Sequence, residues 1–150
     1  MERDSQFYID KGYIDTDDNA EFRIIADAAS CFGKSYKGLQ RSYFRHPKES
    51  DKRLWFPKLY ENCEWNNQIS DDEAIITSKS RFAERNRQEI DKTDANEEYI
   101  VVVFAREKSR SGNFTYRFKG VYQFDHKTTN YENGQVWRRI ETCVKTYPHS

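Results

Sequence analysis

The residues from Tyr99 to Asp125 constrain the fold more than any others in this chain. Tyr99 to Phe104 is an almost unbroken apolar, β-branched run, which suits a strand buried on both faces. A polar connection follows, Lys108 to Asn113, with turn residues and two cations, Lys108 and Arg110. Beyond it the chain alternates. Phe114, Tyr116, Phe118, Tyr122 and Phe124 fall on one side of a strand, and Thr115, Arg117, Lys119, Val121 and Gln123 on the other. Gly120 interrupts the aromatic side, which predicts a bulge or a close approach of another backbone.

The 150 residues fit a single domain, 1–150, with the polar segment 1–19 packed loosely against it. Hydrophobic residues make up 36% and aromatic ones 15%, so a few large rings must supply much of the core. The formal net charge is zero, so any affinity for a polyanion has to come from a local patch. There is no run of apolar residues long enough to span a bilayer and no leader pattern at Met1. Cys31, Cys63 and Cys143 are odd in number and widely spaced, as expected of reduced thiols in a cytoplasmic protein.

Other elements surround the central pair. Asn19 caps a short helix through Phe22, Ile25 and Ala29, although Phe22 to Ile25 also suits a short strand. Ser70 and Glu73 form a capping box, with Ile69 as staple, that predicts a helix over Ala74, Ile75 and Ile76. That helix continues or restarts through Phe82 and Ile90, with Arg81, Arg85 and Arg87 outside. After a loop from His126 to Gly134, residues 135 to 145 form a last strand. The expected fold is α+β, a curved antiparallel sheet or small β-barrel with flanking helices.

Between residues 34 and 58 eight basic side chains oppose two acidic ones, a local excess of six, with Tyr36, Tyr43, Phe44, Trp55 and Phe56 interleaved. Cations that neutralise phosphates and rings that stack on bases are what a nucleic-acid surface needs. A solvated loop whose rings face the core has the same composition. Trp65 lies beside Asn66 and Asn67, whose amides can read a base edge or bond to local backbone. His46, His126, His149 and the cysteines show no metal-ligand spacing, and the glycines form no phosphate loop. Glu107, Asp125 and Lys127 offer an alternative, a metal-dependent nuclease centre, though charged residues at strand ends are ordinary. A third reading is a defence-related domain that captures a protein or nucleotide with the same aromatic surface.

At Leu54 to Tyr60, Tyr116 to Tyr122 and Val136 to Ile140 the chain resembles the PUA-like and SRA-like modules of prokaryotic modification-dependent restriction systems. The resemblance covers roughly residues 30 to 146. It implies a curved sheet whose pocket receives a base flipped out of DNA. It implies a reader of a modified base without catalytic residues or cofactor of its own, working with a nuclease domain or subunit. The ring candidates are then Trp55, Trp65, Tyr116, Tyr122 and Trp137. Arg41, Arg45, Lys108, Arg110 and Arg117 are the phosphate candidates, and Asn66 and Asn67 the base-edge readers. Asp125 is a candidate pocket carboxylate, or an ordinary turn residue at a strand end.

Overall fold

The structure is a computed structural model that describes residues 3–60, 64–109 and 111–149. Its centre is the expected pair of strands. In chain order the elements are α1 (Ser5–Lys11), β1 (Tyr13–Asp15), β2 (Glu21–Phe22), α2 (Ile25–Ala29), β3 (Tyr43–Arg45), β4 (Lys52–Trp55), β5 (Trp65–Ile69), β6 (Ile75–Ser80), α3 (Ala83–Asp91), β7 (Ile100–Lys108), β8 (Phe114–Phe124), β9 (Gln135–Glu141) and β10 (Cys143–Lys145). The main sheet runs β3-β4-β7-β8-β9-β6-β5, with β2 added along β8. Its neighbours are antiparallel except β4 and β7, which are parallel. The strand path does not close, so the architecture is α+β with a curved open sheet rather than a barrel.

The continuous apolar run of β7 is explained by two cores, one on each face. Val102 and Phe104 enter a core with Phe22, Phe32, Leu54, Phe56 and Phe118. Val101, Val103 and Ala105 enter the other, with Ile76, Tyr122, Phe124 and Trp137. The aromatic residues of β8 therefore do not share one face. Phe118 belongs to the first core and Tyr122 and Phe124 to the second. The cause is a bulge. Phe118 pairs with Phe104 and Gly120 with Val103, which leaves Lys119 as the extra residue and reverses the alternation. Gly120 has φ +126°, and a Cβ there would lie 2.6 Å from Arg139 Cδ and 2.7 Å from the Glu141 carbonyl oxygen. The interruption read at Gly120 is thus both bulge and close approach.

Four other expectations are corrected. The N-terminal segment is firmly packed, because Tyr8 and Ile14 are buried in the first core and β1 pairs with β10. Asn19 caps no helix. It ends a turn of 3-10 helix in the left-handed region, and Phe22 enters the core from a strand. The capping box at Ser70 builds a hairpin turn instead. Ser70 Oγ donates to Asp72, accepts from the Ile75 N–H, and Glu73 sits at φ +61°. The β-branched Ile75, Ile76 and Thr77 then continue as β6, with Ile76 fully buried. The final strand divides into β9 and β10, which join different sheets.

Candidate nucleic-acid interface

Curvature brings distant rings together. Trp55 lies on β4 and Trp137 on β9, yet their ring centroids are 5.2 Å apart. Phe124 packs edge-on against Trp137 at 5.0 Å. These rings floor one side of a cleft of about 810 Å³, a size typical of small-molecule sites. Trp65 and Asn67 of β5 and Ser78 of β6 lie along it, and α3 walls it with Arg85, Glu89 and Lys92.

Trp55 and Trp65 are half-buried, as rings offered for stacking must be, while Trp137 is 5% exposed. Trp137 Nε1 has no hydrogen-bond partner among the described residues. A buried indole donor without an acceptor is costly, and a polar ligand in the cleft would relieve that cost. Asn67 is already engaged. Its Nδ2 donates to the Lys58 carbonyl at 3.2 Å and its Oδ1 accepts from Ser78 Oγ at 2.6 Å. Asn66 is the next residue along β5, its side chain on the opposite face. Its Oδ1 is 3.5 Å from the Gln68 amide, and it is not part of the cleft.

The basic segment faces this cleft in part. Tyr43 lines the cleft and pairs with Trp55, while Arg45 and Arg53 are the next pair on that same face of β3 and β4. Arg53 stands over the Tyr43 ring at 5.9 Å. Burial pushes the Tyr43 hydroxyl up, so it remains a donor near neutrality. Arg41 and Arg45 are exposed and have no carboxylate partner among the described residues. Lys52 is different, held by Glu49 at 2.9 Å and Asp51 at 3.2 Å.

The remaining candidates lie elsewhere. Tyr122 is fully buried and donates to the Glu73 carbonyl. Tyr116 packs edge-on against Phe56 on the other face of the sheet, and Arg117 is paired with Glu21. Lys108 is at the far end of β7 from the cleft residue Tyr99, and Arg110 lies outside the described residues. Asp125 is a turn residue. It accepts from the backbone N–H groups of Lys127 and Thr128, from Thr128 Oγ1 and from Arg138 Nε at 2.6 Å. The Thr128 and Arg138 hydrogen bonds hold its carboxyl down at about 2. Glu107 pairs with Lys119 beside the hairpin end of β8, and Asp125 follows the opposite end, so the two carboxylates do not form one centre. Among the described residues no group of histidine, cysteine or carboxylate side chains is arranged to hold a metal ion. Among these residues also, no helix is long and apolar enough to cross a membrane. Cys31 and Cys143 are free thiols, and Cys63 lies outside the described residues.

Arg85 is exposed, as expected of the cations outside the helix, and it also lines the cleft with Glu89 and Lys92. Their spacing of four and three along α3 was the available signal. Asn86 was also missed. It is 3% exposed, donates to the Tyr131 carbonyl at 2.8 Å and so ties the helix to the 126–134 loop.

The family model for the SET and RING associated domain matches residues 7–146. A solved structure of the 5-hydroxymethylcytosine-specific restriction enzyme AbaSI has a TM-score of 0.90 and 37% identity, over 99% of this chain and 47% of that one. The chain therefore spans about half the length of that enzyme. No curated protein matches.

Proposed function

The chain belongs to the SET and RING associated (SRA) domain family, and on that premise we propose that it reads modified bases in DNA for a restriction system. Residues 1–150 act as one reader module, and the cutting activity resides in a separate nuclease domain or subunit. The observation that carries this reading is the meeting of Trp55 and Trp137 at 5.2 Å over a cleft that also holds Trp65. A base rotated out of a duplex loses a few kcal/mol of pairing and stacking, and each aromatic contact returns about 1–3 kcal/mol. Two half-buried tryptophans and a buried third with a free N–H supply stacking and one directional donor.

In this reading Trp55, Trp65 and Trp137 hold the base, and Asn67 fixes the wall through Lys58 and Ser78. Arg41 and Arg45 contact phosphates, which adds affinity that falls steeply with salt. The substrate class suggested by the similarity to AbaSI is duplex DNA bearing 5-hydroxymethylcytosine. The test is a binding comparison of otherwise identical duplexes with cytosine or 5-hydroxymethylcytosine at one position. Preference for the modified duplex, lost in Trp55→Ala, is the expected result. Equal binding to both duplexes by the unaltered protein overturns the proposal.

A further inference from the structure

We propose that Phe82 is the wedge that fills the gap left in the base stack when a nucleotide is turned into the cleft. The inference rests on the reader function above and adds the group that acts on the duplex rather than on the extruded base. Phe82 is 58% exposed, the most exposed large hydrophobic side chain among the described residues. No ring of the described residues packs against it, and more than half of its surface is open to solvent. It occupies the N-cap of α3, a position where a small polar residue would bond the first turn, and α3 has no side-chain cap. A residue that serves neither core nor cap is free to serve a ligand.

Its placement gives the ligand. Arg85, Glu89 and Lys92, at spacings of four and three, line the cleft. Phe82 immediately precedes that helix in an extended conformation, three residues before Arg85. It follows the turn where the Arg81 N–H donates to the carbonyl of the cleft residue Glu64 at 2.7 Å. The mount is rigid. The Phe82 N–H donates to Ser80 Oγ at 3.2 Å, its carbonyl accepts from Asn86, and Asn86 is anchored to Tyr131. An exposed phenyl group on a hydrogen-bonded backbone, between the cleft residue Arg85 and the turn bonded to Glu64, is suited to enter a duplex. Apolar side chains inserted between base steps unstack them, and the vacancy left by an extruded base is the cheapest place to do so.

The test uses duplexes with 2-aminopurine next to a 5-hydroxymethylcytosine or a cytosine, titrated with the protein and with Phe82→Ala and Phe82→Leu. Unstacking of the probe raises its fluorescence. For Phe82→Ala the expected result is about ten-fold weaker binding to the modified duplex, the size of one lost stacking contact. The fluorescence rise should be lost, with affinity for the plain duplex and the melting temperature unchanged. Phe82→Leu should recover part of both signals, because an apolar wedge remains. An undiminished preference and fluorescence rise in Phe82→Ala overturns the wedge, as does an equal loss on both duplexes, which would mark a general contact. If the unaltered protein shows no preference, the reader function itself fails and the wedge falls with it.

Discussion

Trp55 and Trp137 touch although their strands stand three places apart in the sheet, with β7 and β8 between them. Three strand spacings in a flat sheet amount to about 14 Å. The 5.2 Å between the rings therefore combines the reach of two indole side chains with the curl of the sheet. Two irregularities lie within that arc. One is the bulge that excludes Lys119 from the β7–β8 ladder, the other the register shift between Val121 and Tyr122 against β9. Both flank Gly120.

Gly120→Ala should flatten this arc or unfold it. Its φ of +126° disfavours any side chain, and the new methyl would meet Arg139 and the Glu141 carbonyl. Backbone strain alone costs about 1–3 kcal/mol. Chemical denaturation should show at least that loss. If the variant folds, its tryptophan fluorescence should shift as the Trp55–Trp137 contact opens.

Lys119→Met removes the cation that the bulge turns inward. Lys119 is 2% exposed and bonds Glu73 at 2.6 Å and Glu107 at 3.0 Å. Loss of one partner from a fully buried pair costs about 3–5 kcal/mol. Both carboxylates here reach solvent, so about 1–3 kcal/mol is expected in urea denaturation. Adding Glu73→Gln to Lys119→Met should return part of it.

Arg41→Ala and Arg45→Ala should weaken binding to plain and modified duplexes alike. Each phosphate contact contributes roughly 0.9 to the slope of log affinity against log salt. The double variant should therefore flatten that slope by nearly two, with the preference for the modified base retained. A salt titration of both duplexes checks this.

Stability should fall on mild acidification because of His46. Its Nδ1 accepts the N–H groups of Lys48 and Glu49, each at 3.0 Å, which places the ring proton on Nε2. Burial is the main force lowering its pKa below 6.5, with Lys52 acting in the same direction and Glu49 and Asp51 opposing. The unfolded chain thus takes up a proton first. The stabilisation is complete above about pH 6.5 and is lost as pH falls from there toward the lower folded value. Melting curves between pH 7.5 and pH 5, roughly the range in which histidine titrates, should converge for the unaltered protein and His46→Asn at the acid end.

Asp125→Asn should loosen the turn after β8 without changing DNA preference. The substitution removes the charge opposite Arg138 and weakens the acceptor of three further hydrogen bonds. The exposed Arg138 limits the loss to about 1 kcal/mol or less. A change in the modified-to-plain ratio would contradict this placement.

The central strands were legible because β7 and β8 carry strong, local patterns, and Gly120 marked its own irregularity. The faces of β8 were not, since a single extra residue reverses every side chain beyond it, and composition does not reveal which residue is extra. Ser70 and Glu73 misled because the same oxygen chemistry that caps a helix also closes a hairpin. Trp55, Trp65, Asn67 and Trp137 were picked out by residue type, and the fold gathers those four. Tyr116 and Tyr122 share that chemistry but turn into the interior, which only tertiary packing decides.

The parallel pairing of β4 with β7 has one more consequence. Two parallel neighbours cannot be joined by a tight turn, so the chain from residue 56 to residue 99 must travel out and return. That excursion contains β5, β6 and α3, and with them Trp65, Asn67, Ser78, Phe82 and Arg85. One side of the candidate cleft is thus built by a single excursion between Trp55 and Ile100, which the β6–β9 pairing and the buried Ile76 fasten to the rest of the sheet. The Leu54–Val102 pairing closes that excursion where it begins and ends, so the half of the cleft that carries Trp65 and Asn67 is held in place against the half that carries Trp55 by β7 as well as by β9.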